Sequence, residues 1–415
     1  MKKIAFIKIG NFSGYNNFAL NFLKSSFPDH DIEVIDIWKD CISYGGLLSW
    51  FHALREFGPG VLWDNYGTAV LRTEHFYRAA RQALSRHLNP EEFLFSFQTG
   101  SFFDGFIPGL PHFVYIDASL FFVVRQFPAH RPSLSRFFFS EYFRNRQPGR
   151  FDRIRKEIAM NIQEVFLRHQ NKAIKERAIY EKATGVFTMS EFDREVLISH
   201  YQCPPEKVMT VFSGPHVVPG PEDPPRPYER QNILFIGSEW ERKGGPELAA
   251  AFMKVKDIYP RATLTVIGCS PPLKMSGCRV LGKIPQAEIS RYYCQASIFC
   301  VPARVEAFGN VFIEAQYFQL PVVATQTGAI PEIVKDGQSG ILVAPGDSGA
   351  LARALINLLG DPSRCQEFGK KGRVLIQENY SWEQTERRLR AGIQSGLCRD
   401  SDGICPPLGV KSAIS

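Results

Sequence analysis

Residues 302–345 read PARVEAFGNVFIEAQYFQLPVVATQTGAIPEIVKDGQSGILVAP. Two carboxylates, Glu306 and Glu314, stand here with seven residues between them. Just upstream, Ser297-Ile-Phe-Cys-Val301 is a continuous apolar run of the kind that forms a buried strand. Ala307-Phe308-Gly309 then reads as a short loop, and Asn310 as the cap of a helix carrying Val311, Phe312, Ala315 and Phe318. This places Glu306 on the loop at the strand's C-terminal edge and Glu314 one turn into the helix. In open α/β sheets that edge is where ligands bind. A helix start beside a glycine presents unpaired backbone N–H groups, which suit a diphosphate. The two carboxylates can accept hydrogen bonds from neutral sugar or ribose hydroxyls, which an anionic phosphate cannot donate.

Working outward, Pro321-Val-Val-Ala-Thr, Gly328-Ala-Ile-Pro-Glu-Ile-Val and Asp336-Gly-Gln-Ser-Gly-Ile-Leu-Val follow as strand, loop, helix, turn and strand. Upstream, Asn232–Ile236 reads as a strand, Gly237-Ser-Glu-Trp-Glu-Arg-Lys-Gly244 as a loop, and Pro246 as the opening of a helix reaching Asp257. That loop occupies the same kind of sheet edge as Glu306 and carries Arg242 and Lys243. Fixed positive charge there would offset charge developing on a leaving diphosphate. Taken in order, these runs resemble the Glu-x7-Glu signature of retaining glycosyltransferases of family four (glycosyl transferases group 1), which have the GT-B fold. The resemblance implies an α/β chain of two doubly wound Rossmann-like domains facing a central cleft. It implies that Glu306 contacts the donor sugar and that Glu314 holds ribose hydroxyls. Lys243 would meet the donor diphosphate, helped by backbone around Gly237, Phe308, Gly309 and Asn310. Most members have an arginine after the first glycine of the 237–244 loop, where this chain has Ser238. Arg242 is therefore read as the second positive charge, able to clamp a phosphate with its fork; a solvated loop charge is its plain alternative.

At 415 residues the chain exceeds what one core of roughly 250–300 residues supports, so two domains are expected. No apolar run approaches the roughly 20 residues of a membrane span. The start, MKKIAFIKIGNFSGY, breaks its apolar segment at Lys8 and reads as a first strand rather than a leader. Nine cysteines contain no C-x-x-C pair, and Cys294 and Cys300 fall in apolar elements, so a zinc site is not expected and a reducing cytoplasm is. No Asp-x-Asp arrangement offers a metal site, and no cofactor is implied beyond the nucleoside-diphosphate sugar as substrate.

The net charge of +7 sits in one place. Between Arg125 and Lys156 there are nine Lys/Arg against Glu141 and Asp152, interleaved with phenylalanines. One reading is a helical hairpin with Phe inward and Arg outward. The other is a surface for an anionic acceptor or for acidic headgroups at the inner face of a membrane. Nothing else in the sequence supports nucleic-acid binding.

In the N-terminal half, Ile4–Ile9, Ile32–Ile37, Phe93–Phe97 and His112–Ile116 read as strands and Arg72–Leu88 as a helix. Gly10 and Gly14 flank the loop after the first strand, where small residues would let a substrate approach, though a plain tight turn explains them equally. The strand Pro111-His-Phe-Val-Tyr-Ile-Asp117 ends on a carboxylate that the resemblance marks as facing the cleft; helix capping is the alternative for Asp117. His112, at the strand's start, reads as structural. A helix is expected over 154–182, then a strand at 186–190 with Ser190 or Asp193 capping the helix after it. Six prolines between Ser213 and Arg230 read as a linker.

The expected domains are therefore 1–215 with a final helix at 381–396, a linker at 216–230, a nucleotide-sugar domain at 231–380, and a poorly ordered tail at 397–415. The expected activity is that of a hexosyltransferase-type enzyme (EC 2.4). It would move a sugar, with retention, from a nucleoside-diphosphate sugar to a glycan, lipid-linked or other hydroxyl acceptor in cell-surface polysaccharide or glycolipid assembly. The competing readings are a nucleotide-sugar epimerase, and a nucleotide-sugar-binding or scaffold protein without transferase activity. The expected location is cytoplasmic, with peripheral contact to anionic membrane through Arg125–Lys156.

Overall fold

A computed structural model describes residues 1–10, 15–37, 39, 74–117, 173–220 and 226–400. Gly14, the basic segment Arg125–Lys156, most of the helix expected over 154–182 and the tail after 400 lie outside the described residues. Cα packing divides the chain into two compact units. The first is drawn from Met1–Thr188, Arg194–Met209 and Leu389–Ser415, the second from Met189–Asp193 and Thr210–Arg388.

The first unit holds six strands: β1 (Lys3–Lys8), β2 (Ile32–Asp36), β3 (Phe93–Thr99), β4 (His112–Ile116), β5 (Gly185–Thr188) and β6 (Val208–Thr210). They lie in the order β2-β1-β3-β4-β5-β6, and the pairings from β2 through β5 are parallel. Every residue of β4 is buried, as expected of a parallel strand covered on both faces. The chain's many phenylalanines explain part of this core. Phe95 meets Phe113 edge-on at 5.5 Å, and Phe113 and Phe97 each stack on Phe187, at 5.9 and 6.1 Å. Across three adjacent parallel strands these rings tile one sheet face, where each contributes area burial plus an offset-stacking or edge contact.

His112 is a core residue, as its position at the strand's start suggested. It is fully buried, with Nδ1 paired to Ser96 Oγ at 2.8 Å, and burial pulls its pKa down to about 4. Ser190 caps the helix Glu191–Ser199 by accepting the Asp193 N–H at 3.0 Å.

The second unit has β7 (Asn232–Ile236), β8 (Thr263–Ile267), β9 (Cys278–Gly282), β10 (Ile298–Val301), β11 (Val322–Thr325) and β12 (Gly340–Val343). Their order is β12-β11-β10-β7-β8-β9, and every pairing is parallel. From β7 the chain winds outward one way through β8 and β9; from β10 it winds the other way through β11 and β12. β7 and β10 are therefore neighbours on either side of the point where the winding reverses. In doubly wound sheets the crevice beyond the C-terminal ends of such a strand pair is the ligand site.

Among the described cysteines, Cys203, Cys269, Cys278, Cys294, Cys300 and Cys365 are free thiols. Cys398, in the helix Trp382–Asp400, is disulfide-bonded. No helix among the described residues is long and apolar enough to cross a membrane.

Candidate active site

The loops at the winding reversal of the second unit are 237–244, after β7, and 302–309, after β10. They are stitched together by the backbone. Arg304 N–H donates to the Arg242 carbonyl at 2.9 Å, and the Arg242 guanidinium Nη1 donates to the Val305 carbonyl at 2.9 Å. Thr325 Oγ1, at the end of β11, anchors the second loop by donating to Ala303 O at 2.5 Å. Close approach at Gly244 makes this possible. It sits at φ 74°, and a Cβ there would meet the Pro302 carbonyl at 1.8 Å.

The result is a direct ion pair between Lys243 Nζ and Glu306. Both residues are buried, at 8% and 6% exposure. The two groups were separate expectations from the sequence, one for the diphosphate and one for the sugar; the fold brings them into contact. Burying such a pair removes two charges from water, a cost repaid only where the geometry is good and further polar groups are satisfied. Arg242 has a different setting. Besides Val305 O, its Nε bonds Glu239, so its fork is engaged with protein acceptors and braces the two loops. Ser238 is exposed and Gly237 buried; Gly237 N–H is used by the Ile267 carbonyl at 2.9 Å.

The helix after Glu306 spans Asn310–Tyr317, but Asn310 is not its cap. Gly309 takes that position at φ 93°, without a side-chain cap. A left-handed backbone at the cap favours glycine over asparagine, and Asn310 becomes the first helical residue. Its amide is turned instead to His216, with Nδ2 3.2 Å from Nε2. Phe308 and Gly309 are buried beside Glu306.

Glu314, one turn in, is 6% exposed. Its Oε2 accepts from Tyr293 OH at 2.9 Å and its Oε1 from His216 N–H at 3.3 Å. Burial pushes its carboxyl up to about 7, against the opposing pull of Tyr293 OH and the His216 and Val217 N–H groups. Tyr293 is itself fixed by stacking on Phe318 at 4.9 Å. His216, whose pKa burial lowers, packs its ring on Trp382 at 5.4 Å. Trp382 in turn donates Nε1–H to the Pro215 carbonyl at 2.9 Å. Tyr293 and His216 were missed from sequence. The available signals were a tyrosine ahead of β10 and a histidine inside the proline-rich stretch.

Two expected residues fall in the first unit. Gly10 follows β1 at φ 49° and donates its N–H to Asp36 Oδ1 at 2.9 Å. Asp117 is exposed directly after β4. No group of three or more His, Cys, Asp or Glu that could hold a metal ion occurs among the described residues.

Comparison with known proteins agrees with this architecture. Residues 230–361 match the family model "Glycosyl transferases group 1", a span that includes Lys243, Glu306 and Glu314. A D-inositol 3-phosphate glycosyltransferase of Corynebacterium kroppenstedtii is 27% identical over 252 residues, 53% of this chain and 55% of the relative. A GDP-mannose-dependent alpha-(1-6)-phosphatidylinositol monomannoside mannosyltransferase of Mycolicibacterium smegmatis is 31% identical over 186 residues, 40% of this chain and 48% of the relative. The chain thus spans about half the length of these curated relatives. Among solved structures, sucrose-phosphate synthase from Thermosynechococcus elongatus superposes with a TM-score of 0.62 at 19% identity, covering 94% of this chain and 97% of that one. WaaG, a glycosyltransferase involved in lipopolysaccharide biosynthesis, gives 0.61 at 15% identity, covering 93% and 98%. The fold is GT-B, and within it residues 230–361 are similar to the glycosyl transferases group 1 family.

Proposed function

We propose that the protein is a retaining glycosyltransferase that takes a sugar from a nucleoside-diphosphate sugar and places it on a hydroxyl of a glycan or glycolipid. The observation that carries this reading is the buried Lys243–Glu306 pair at the winding reversal of the second unit. An ammonium has three donors. One is directed at Glu306, which leaves two for oxygens of a diphosphate entering between the loops. As the glycosidic bond breaks, that fixed charge stabilises the departing nucleotide without reorganisation. Backbone N–H groups at the Gly309–Asn310 helix start add donors of the same sense. Glu306, held by Lys243, is positioned to meet the donor sugar. Glu314 carries about four lone-pair positions, of which Tyr293, His216 and Val217 occupy three; the remaining one suits a ribose hydroxyl. Arg242 acts chiefly as the brace that keeps Lys243 and Glu306 in register, and Asp117 and Gly10 belong to the acceptor side.

The acceptor class rests on different support. The Mycolicibacterium relative is named for a phosphatidylinositol mannoside acceptor, and the cationic, aromatic segment Arg125–Lys156 suits an anionic lipid surface. Structures of Anabaena HepE hold UDP and UDP-glucose, whereas that relative is named for GDP-mannose; the test therefore spans bases. Purified protein is incubated with UDP-, GDP- and ADP-sugars, with and without acceptor lipid extracts, and nucleotide release is measured. Release from one donor class, stimulated by acceptor, is expected. Tight nucleotide binding with no release from any donor would replace the proposal with a binding protein of the same fold.

A further inference from the structure

We propose that the second unit carries a phosphate-binding site separate from the candidate active site, built on Arg226 and Arg373. The two arginines line one cavity of about 410 Å³, together with Tyr228, Gln319, Ser363 and Gln366. It lies at the C-terminal end of the Asn310–Tyr317 helix, whose N-terminal end carries the active site. At about 1.5 Å per residue, the two ends are roughly 12 Å apart along the helix axis.

Each guanidinium stands over an aromatic face. Arg226 lies 5.6 Å from the Phe318 ring centre, and Arg373 lies 5.5 Å from that of Tyr317. Stacking of this kind fixes the plane of the fork while leaving its N–H edge available for an oxyanion. Neither arginine has an ion-pair or hydrogen-bond partner among the described residues. Arg226 Nη1 is shut off from solvent with no acceptor among the described residues, and an unmet donor on a charged group is costly. Glu229, also lining the cavity, is exposed to water and makes no ion pair among the described residues.

The floor is preformed. Tyr228 OH donates to the Gln319 carbonyl at 2.8 Å, which removes that acceptor from the cavity. Pro362, Ser363 and Gln366 come from the first turns of the 18-residue helix Pro362–Asn379, whose start is capped by the Asp361 carboxylate, so the attraction for an anion rests on the two arginines. The remaining polar lining is of hydroxyl and amide type and can donate. Two planar forks match a group with three peripheral oxygens and about two negative charges; a carboxylate offers fewer oxygens and half the charge. The ligand class is accordingly a phosphate monoester or free phosphate.

The test follows thermal unfolding of the full chain in phosphate, acetate and chloride at matched ionic strength. For the wild type, the midpoint should rise with log phosphate beyond the acetate and chloride controls, as mass action requires of a ligand of the native state. Arg226→Gln/Arg373→Gln should weaken phosphate by about tenfold or more, and Lys243→Ala should respond like the wild type. Should the double variant fail to fold, Arg373→Lys keeps the charge and removes the planar fork; a severalfold loss of phosphate affinity is expected. An equal response in wild type and double variant overturns the proposal, as does unchanged affinity in Arg373→Lys. So does a response lost only in Lys243→Ala, which would place the anion on the 237–244 loop. Acetate matching phosphate also overturns it. A wild type with no phosphate response at all overturns it equally. Free phosphate and phosphate monoesters are then separated by repeating the titration with glycerol 3-phosphate and glucose 6-phosphate.

Discussion

Replacing Tyr293 by Phe tests how the chain holds Glu314. The substitution keeps the ring, its stack on Phe318 at 4.9 Å and its burial, and removes only the hydroxyl that donates to Glu314 Oε2 at 2.9 Å. A hydrogen bond to a charged acceptor contributes about 1.5–3 kcal/mol, and one between neutral groups about 0.5–1.5. The difference between the ionised and protonated carboxyl is therefore about 1–1.5 kcal/mol, or close to one pKa unit. Burial already pushes Glu314 up to about 7; without the hydroxyl it should rise by roughly one further unit. At pH 7 about half of the wild-type carboxyl is ionised, and about a tenth in the variant. The direction of linkage follows. A carboxyl raised in the folded state binds its proton more tightly than in the unfolded chain, so stability from this group falls as pH rises from the usual carboxylate range through 7. Carboxyl ¹³C NMR titration, with Glu314→Gln to assign the resonance, reads the midpoint without reference to any activity. If the ionised form accepts a ribose hydroxyl, donor affinity should fall as pH drops through 7 in the wild type and about one unit higher in Tyr293→Phe. A midpoint unmoved by the substitution, or near the ordinary carboxylate value in both proteins, refutes the reasoning.

The remaining predictions concern the loops and the first unit. Lys243→Met leaves Glu306 buried and unpaired and should cost about 3–5 kcal/mol; calorimetry should find Lys243→Met/Glu306→Gln less destabilised than the sum of the singles, and strict additivity would show that the two do not interact. Lys243→Ala should lower donor turnover by about 10²–10³-fold, measured as nucleotide release. Gly309→Ala puts a side chain at φ 93° and a Cβ 2.6 Å from Phe312 Cδ2; a loss of about 1–3 kcal/mol is expected from denaturant unfolding. His112, neutral in the fold because burial lowers it to about 4, contributes stability that is lost as pH falls from about 6.5 toward 4, up to about 3 kcal/mol. His112→Leu should flatten the acid side of the thermal-midpoint profile, and an unchanged slope would count against the buried neutral ring.

Strands of the second unit such as β7 and β10 were legible because each is a short, mostly apolar run ending at a glycine or proline loop. Ile298–Val301 and Val322–Thr325 are buried along their whole length, and such runs are unambiguous once helix-length periodicity is absent on either side. What lay beyond one-dimensional reading was adjacency. Lys243 and Glu306 are 63 residues apart, and nothing in either loop says that β7 pairs with β10 rather than with a later strand. Only the sheet order β11-β10-β7-β8 puts the two loops side by side, and the ion pair follows from that order. The misreading of Asn310 has a local cause. Asparagine and glycine in sequence both favour a cap, and the choice fell to Gly309 because the chain must leave Glu306 through a left-handed residue to start the helix. Displaced by one position, Asn310 points its amide at His216, a residue that the proline pattern had assigned to a passive linker. His216 instead gives its backbone N–H to Glu314 and its ring to Asn310 and Trp382. Pro215 and His216 are thus part of the framework around Glu314: removing the His216 ring would loosen Asn310 at the helix start while leaving the backbone bond to Glu314 intact. A single substitution there separates the contribution of the helix N-terminus from that of the carboxylate.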